Sequence, residues 1–296
     1  MSAKLLKGKK VAERLKPDIK LRAAAVSENR GSPPLLAVIA VGKDAASQTY
    51  LRAKLQVCEE VSVEATVESL PETASESEVL ALLRKLASDP TVDGILLEQP
   101  LPPRLDARRV VEAICPDKDV EGVTTANFGR FYAAKTLADM RASGALIPCT
   151  ADSILQLLLE TGADVAGLDA VVVGRSNIVG RPTAHLLSCL NATVTLCHSR
   201  THDLAGHVRR ADIVAAAVGE PRLIQGDWIK PGAIVLDAGI HGSGKEMHGD
   251  VDFEAASRAA AFITPVPGGV GPLTVVCLLD HVVFSAERRT RQSLGA

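Results

Sequence analysis

The chain has 296 residues, comfortable for two domains, with 47% hydrophobic and 23% charged residues. Its 33 basic and 35 acidic residues leave a net charge of −2, which advertises neither nucleic-acid nor anionic-membrane binding. No apolar run approaches the roughly 20 residues that span a bilayer.

The predicted elements follow in chain order. Residues 9–29 read as a helix with Val11, Leu15, Ile19, Ala23 and Val26 on one face, Pro17 lying inside it. Leu35 to Val41 is an apolar run ending at Gly42, a buried strand. A helix over 45–60, a strand over 62–69 and a helix over 75–87 come next. Val92 to Leu97 is another strand, running into the loop Glu98-Gln-Pro-Leu-Pro-Pro, and 106–114 is a short helix. Residues 116–150 read as a long connection with one helical piece. Asp117-Lys-Asp-Val-Glu-Gly122 inside it reads, by itself, as a solvated turn. A helix over 152–160 leads to strands near 171, 192, 212, 234 and 262, and a last helix covers 273–289. This alternation predicts an α/β protein of two domains with parallel sheets. The boundaries fall at 1–148, joined by the returning C-terminal helix 273–296, and at 149–272.

Residues 171–182, Val-Val-Val-Gly-Arg-Ser-Asn-Ile-Val-Gly-Arg-Pro, carry the clearest chemistry. A short β-branched run meets a glycine turn and then a helical run from Pro182. Such a turn leaves backbone N–H groups at a helix start, a site for a phosphate or pyrophosphate. The usual middle glycine is replaced by Ser176. About twenty residues later the second strand ends in His198-Ser-Arg-Thr201, with no acid to hold a ribose 2′-hydroxyl. Arg175 and Arg200, with Ser176 and Ser199, suit a 2′-phosphate, so the cofactor expected is NADP rather than NAD.

Tyr50 and Lys54 stand at i and i+4 on one helix face, with Ser47 a turn earlier. Glu98 and Gln99 lie in a proline-held loop at the C-terminal end of a strand, where ligands bind in open α/β sheets. The glycine-proline loop 265–272 reads as a close approach to a ligand or cofactor. His185 and His198 lack partners at metal-ligand spacing, so no metal is assigned. The six cysteines show no Cys-x-x-Cys spacing, and the N-terminus has no apolar core of signal-peptide length. They read as reduced core residues of a cytoplasmic protein.

Taken together these segments resemble the methylenetetrahydrofolate dehydrogenase/methenyltetrahydrofolate cyclohydrolase family. The resembling stretches run from Val41-Gly-Lys-Asp-Ala-Ala-Ser47 through Tyr50, Lys54, Gly94-Ile-Leu-Leu97, Pro100-Leu-Pro102, Lys118-Asp-Val120 and Pro148-Cys-Thr150. They continue through 173–180, 197–201 and Gly249-Asp-Val-Asp252 to Pro265-Val-Pro-Gly-Gly-Val-Gly-Pro272. The resemblance implies a folate substrate in a cleft between two domains, a homodimer, NADP-dependent oxidation of 5,10-methylenetetrahydrofolate, and hydrolysis of the product to 10-formyltetrahydrofolate. It implies Lys54 as the catalytic lysine, Tyr50 stacked near the pterin and Ser47 in support. Glu98, Gln99, Glu121, Pro267, Gly268 and Gly271 are then expected at the substrate. Gly174, Arg175, Ser176, Ile178, Val179, Gly180, His198, Ser199, Arg200, Thr201 and Ile240 are expected at the cofactor.

Three positions depart from the family pattern. Glu98 stands where the family has glutamine, Glu121 where it has aspartate, and Ala151-Asp-Ser153 where it has Pro-x-Gly. A carboxylate at 98 would favour the ammonium form of Lys54, a poor base for the hydrolytic step. The alternatives are therefore a dehydrogenase-only enzyme, an enzyme for a modified pterin, or a non-catalytic NADP-binding paralogue.

Overall fold

The computed structural model describes residues 2–42, 45–242 and 244–294, with only the backbone given for 45–50, 245 and 293–294. In chain order the elements are β1 (Lys4–Leu5), α1 (Gly8–Arg30), β2 (Leu35–Val41), α2 (Ala45–Glu60), β3 (Glu64–Leu70), α3 (Glu76–Ser88), β4 (Gly94–Leu97) and α4 (Ala107–Glu112). Then come α5 (Thr125–Ala133), α6 (Leu137–Ser143), α7 (Cys149–Leu159), β5 (Asp169–Val173), α8 (Gly180–Cys189), β6 (Thr193–Cys197), α9 (Leu204–Arg210) and β7 (Ile213–Ala216). The chain closes with β8 (Ile234–Asp237), α10 (Phe253–Ala259), β9 (Phe262–Ile263) and α11 (Val270–Leu294). All named strand pairs are parallel, as the alternation requires.

The chain divides into two compact units, one of residues 1–13 with 130–274 and one of residues 14–129 with 275–296. The first holds a six-stranded sheet in the order β1-β9-β8-β7-β5-β6. Its central strands are buried on both faces, so Val171, Val172, Ile213, Val214, Val235 and Leu236 read as unbroken apolar runs. The second holds a three-stranded sheet, β3-β2-β4, packed on Val79, Leu83 and Leu86 of α3. Ser75 caps α3 in a reciprocal capping box with Glu78. In α11, Val276, Cys277, Leu279, Val282, Val283 and Ala286 are buried. This helix has the length and apolarity of a membrane span, yet Asp280 and Glu287 on it pair with Arg22 of α1.

Three expectations are corrected. Residues 116–150 contain two α-helices, α5 and α6, rather than one helical piece. Thr136 and Asp139 form a capping box at the start of α6, and Gly144 ends it in the left-handed conformation. The last helix starts at Val270, inside the glycine-rich segment, because Pro272 falls in a first turn that needs no N–H from it. The charged turn 117–122 is not solvated: Lys118 and Asp119 are buried.

Candidate active site

In the unit of residues 14–129 and 275–296, β2 and β4 are paired in register from Leu36–Gly94 to Ile39–Leu97. This pairing brings Glu98 to the C-terminal end of the sheet, where its N–H donates to the Ile39 carbonyl at 2.9 Å. Lys54, on α2, donates from Nζ to Glu98 Oε1 at 2.5 Å. Both side chains are largely covered, 20% and 12% exposed, so the pair is screened less than a surface ion pair. Gln99 is exposed, and its bond to Pro100 is cis. The side chains of Ser47 and Tyr50 lie outside the described residues.

Glu121 enters the same electrostatic neighbourhood from the charged turn. That turn is fastened on both sides. Lys118 Nζ donates to the carbonyls of Leu86 and Asp89 at 2.8 and 2.5 Å. Asp119 accepts from the N–H groups of Val123 and Thr124 and from Asn127 Nδ2, at 3.2, 2.8 and 2.9 Å. Val120 sits against Gly94, where a Cβ would come within 2.6 Å of its Cγ1, and its carbonyl faces His281 Nδ1 at 2.8 Å. Burial pushes the Glu121 carboxyl up to about 7; Lys54 opposes the shift, while Asp119 and Glu98 add to it. The residue keeps some exposed surface, so it lines a recess rather than a sealed interior. Lys54, Glu98 and Glu121 thus form one amine with two carboxylates, able to orient water and to hold donor groups of a ligand.

The other unit carries the glycine turn. Gly174 follows β5 at φ +117°, and a Cβ there would lie 2.0 Å from the Ala217 carbonyl oxygen. A Cβ on Gly180 would lie 2.0 Å from the Gly174 oxygen, so both glycines are demanded by close backbone approach. Ser176 takes up two N–H groups at the start of α8: its Oγ accepts from Val179 and Gly180, both at 3.2 Å. From sequence these donors are expected to be free for a phosphate. They are instead served by the side chain that replaced the middle glycine.

Arg175, Ser176 and Ile178 are exposed on this turn. After β6, the neighbour of β5, the His198 N–H donates to Thr201 Oγ1 at 2.8 Å and the Arg200 N–H to His198 Nδ1 at 3.1 Å. This tight turn leaves Ser199 and Arg200 exposed. Strand ends, an open serine hydroxyl and two exposed arginines fit a phosphorylated dinucleotide. Ile240, beyond β8, is 50% exposed, and a Cβ on Gly271 would sit 3.8 Å from its Cδ1. Val266–Pro267 is cis and Gly268 has φ +103°. Within this loop a Cβ on Gly269 would lie 2.6 Å from the Pro265 oxygen, and a Cβ on Gly8, at the start of α1, would meet the Gly269 oxygen at 1.8 Å. Among the described residues there is no cluster of three or more His, Cys, Asp or Glu suited to a metal ion.

Two family models match the chain. Residues 6–121 match the model of the tetrahydrofolate dehydrogenase/cyclohydrolase catalytic domain, and residues 148–290 that of its NAD(P)-binding domain. The chain is 45% identical to the bifunctional protein FolD of Geotalea uraniireducens, over 97% of this chain and 100% of the relative. It is 46% identical to the FolD of Moorella thermoacetica, again over 97% and 100%. Among solved structures, the bifunctional enzyme FolD of Campylobacter jejuni superposes with a TM-score of 0.91 at 39% identity, covering 97% of this chain and 100% of that one. The Trypanosoma brucei enzyme, complexed with NADP cofactor and inhibitor, gives 0.90 at 33% identity, with both chains covered completely.

Proposed function

The chain belongs to the tetrahydrofolate dehydrogenase/cyclohydrolase family, and on that premise we propose that it oxidises 5,10-methylenetetrahydrofolate with NADP and hydrolyses the methenyl product to 10-formyltetrahydrofolate. The observation that carries this reading to the site is the Lys54–Glu98 pair at the end of the sheet, with Glu121 beside it. In this reading Gly174, Arg175, Ser176, Gly180, Ser199, Arg200 and Thr201 hold NADP, with Ile178, Val179, His198 and Ile240 alongside. When bound, NADP accepts the hydride from the one-carbon bridge.

The chain's own residues supply the rest. Glu121 accepts from the donor edge of the pterin, and Tyr50 and Ser47 place the ring. Gln99, in the same unit, shapes its surroundings. Lys54 orients the water that attacks the cationic methenyl carbon, since an amine within hydrogen-bond reach of that water can take its proton. Five of the six cysteines are buried, and none is in a disulfide among the described residues, in keeping with a reducing, cytoplasmic setting. A homodimer is part of the proposal: β3 is an edge strand with Val67 38% exposed, a surface suited to a second copy. Light scattering after size exclusion tests it.

A second reading is favoured by one distance. At 2.5 Å from a carboxylate, Lys54 is engaged in a charge-assisted hydrogen bond that must loosen before it can serve a water. The enzyme is then a dehydrogenase with weak hydrolysis. One assay separates the readings: 5,10-methylenetetrahydrofolate and NADP are mixed, and NADPH and methenyltetrahydrofolate are followed together. NADPH with little persisting methenyl product supports both activities. NADPH with accumulating methenyl product supports the second reading. Bound NADP with no reduction overturns both.

A further inference from the structure

Outside the groups already assigned, the most developed polar construction is built around Asp250. This side chain is fully buried, yet each oxygen is used. Oδ2 accepts from the N–H groups of Val218 and Gly219, at 2.6 and 3.2 Å, in the loop after β7. Oδ1 accepts from His241 Nε2 at 2.8 Å, in the loop after β8. The packing leaves no room for substitution nearby: a Cβ on Gly239 would lie 2.3 Å from Asp250 Oδ1.

The loop after β8 is pinned by one antiparallel bridge. His241 and His248 exchange backbone hydrogen bonds at 2.8 and 3.0 Å, and their rings lie 5.6 Å apart. Ile240 immediately precedes this bridge. A continuous line of contacts results. The glycine turn packs on Ala217 through Gly174, the next two residues donate to Asp250, and Asp250 holds the histidine that adjoins Ile240. β5, β7 and β8 are neighbours in the sheet, so this line runs along the strand ends where a dinucleotide lies.

We propose that His241 and Asp250 are positioning residues for NADP, clamping the β7 and β8 loops together so that Ile240 and the glycine turn are held at one fixed separation. The proposal rests on the NADP reading above. It places the effect of these two residues on cofactor affinity and not on folate affinity. His241 is the residue to change, because its side chain is 18% exposed and Asp250 is not exposed at all.

The test uses His241→Ala, His241→Asn and the unmodified chain. The dissociation constant of NADP is measured by calorimetry, with KM for NADP and for 5,10-methylenetetrahydrofolate from initial rates. His241→Ala is expected to weaken NADP binding and raise its KM about tenfold, the effect of losing one hydrogen bond to a charged group, and to leave the folate KM unchanged. His241→Asn keeps an N–H donor and is expected to recover most of the loss. Unchanged NADP affinity in His241→Ala, an equal rise in both KM values, or no rescue by asparagine overturns the clamp. If His241→Ala does not fold, His241→Phe, which keeps a ring without a donor, takes its place. Failure of the unmodified chain to bind NADP defeats the cofactor reading instead, so the two failures are distinguishable.

Discussion

In the proposed reading, Glu98 puts a carboxylate, where the family pattern has glutamine, beside the lysine that is to handle water. A glutamine there can still accept from the lysine, but the pair loses the ionic attraction of the carboxylate. Glu98→Gln is therefore expected to raise the rate of methenyltetrahydrofolate hydrolysis, by about tenfold if one charge-assisted bond limits the step, with NADPH formation retained. Single-turnover decay of the methenyl absorbance checks it; an inactive variant or an unaltered decay would defeat the pairing argument. Glu121 supplies a separate prediction. Its folded-state pKa of about 7 lies above the ordinary 4.5, so the folded chain keeps a proton that the unfolded chain releases between those values. Stability from this group is fully present below pH 4.5 and is lost as pH rises through 7. Glu121→Gln cannot ionise. It should match the unmodified chain near pH 4.5 and exceed it at pH 8 by on the order of 1–3 kcal/mol, read from urea midpoints at the two pH values.

At the scale of the element, legibility follows where the stabilising partner lies. The start of α3 was readable because Ser75 and Glu78 are three residues apart. The same signal, Thr136 with Asp139, marks α6, but its short apolar periodicity does not separate it as a second helix within 116–150. β1 could not be read at all: two residues form a strand only by pairing with Phe262 and Ile263 at the other end of the chain. The turn at 117–122 looked solvated by composition, and its burial depends on carbonyls of α3 and its exit that its own sequence does not announce. The Gly174 turn was legible as a ligand loop, although the capping role of Ser176 was not. Gly174→Ala tests the turn. The substitution places a side chain at φ +117° and 2.0 Å from a carbonyl oxygen, both unfavourable. Expected are a loss of about 1–3 kcal/mol by urea denaturation and a weakened affinity for NADP by titration. Unchanged values for both would show that the turn tolerates a Cβ and is not set by close approach.

For the whole molecule, long-range charge pairs decide how distant segments meet, and these were invisible to local pattern. Asp93 precedes β4 and is completely buried. It accepts from Arg30 Nη1 and Nη2 at 2.8 and 2.6 Å and from the Leu35 N–H at 2.9 Å, while Arg289 stands 3.5 Å away. Arg289 also donates to the carbonyls of Val92 and Pro90. One carboxylate thus joins the end of α1, the start of β2, the start of β4 and the last turns of α11. Replacing a buried pair by apolar residues can be neutral, but removing one partner leaves an uncompensated charge, at a cost of about 3–5 kcal/mol. Asp93→Ala does the latter to Arg30, which is itself largely covered. Far-UV circular dichroism in urea is expected to show a midpoint lowered accordingly. Trp228, the one tryptophan of the chain, lies in the other unit, among residues 130–274, and reports that unit by fluorescence. A shift seen by Trp228 with the dichroism unmoved would place the weakness in the wrong unit and overturn the assignment. A dichroism shift with Asp93→Asn intermediate would confirm that the carboxylate's charge, and not its volume, holds these segments together.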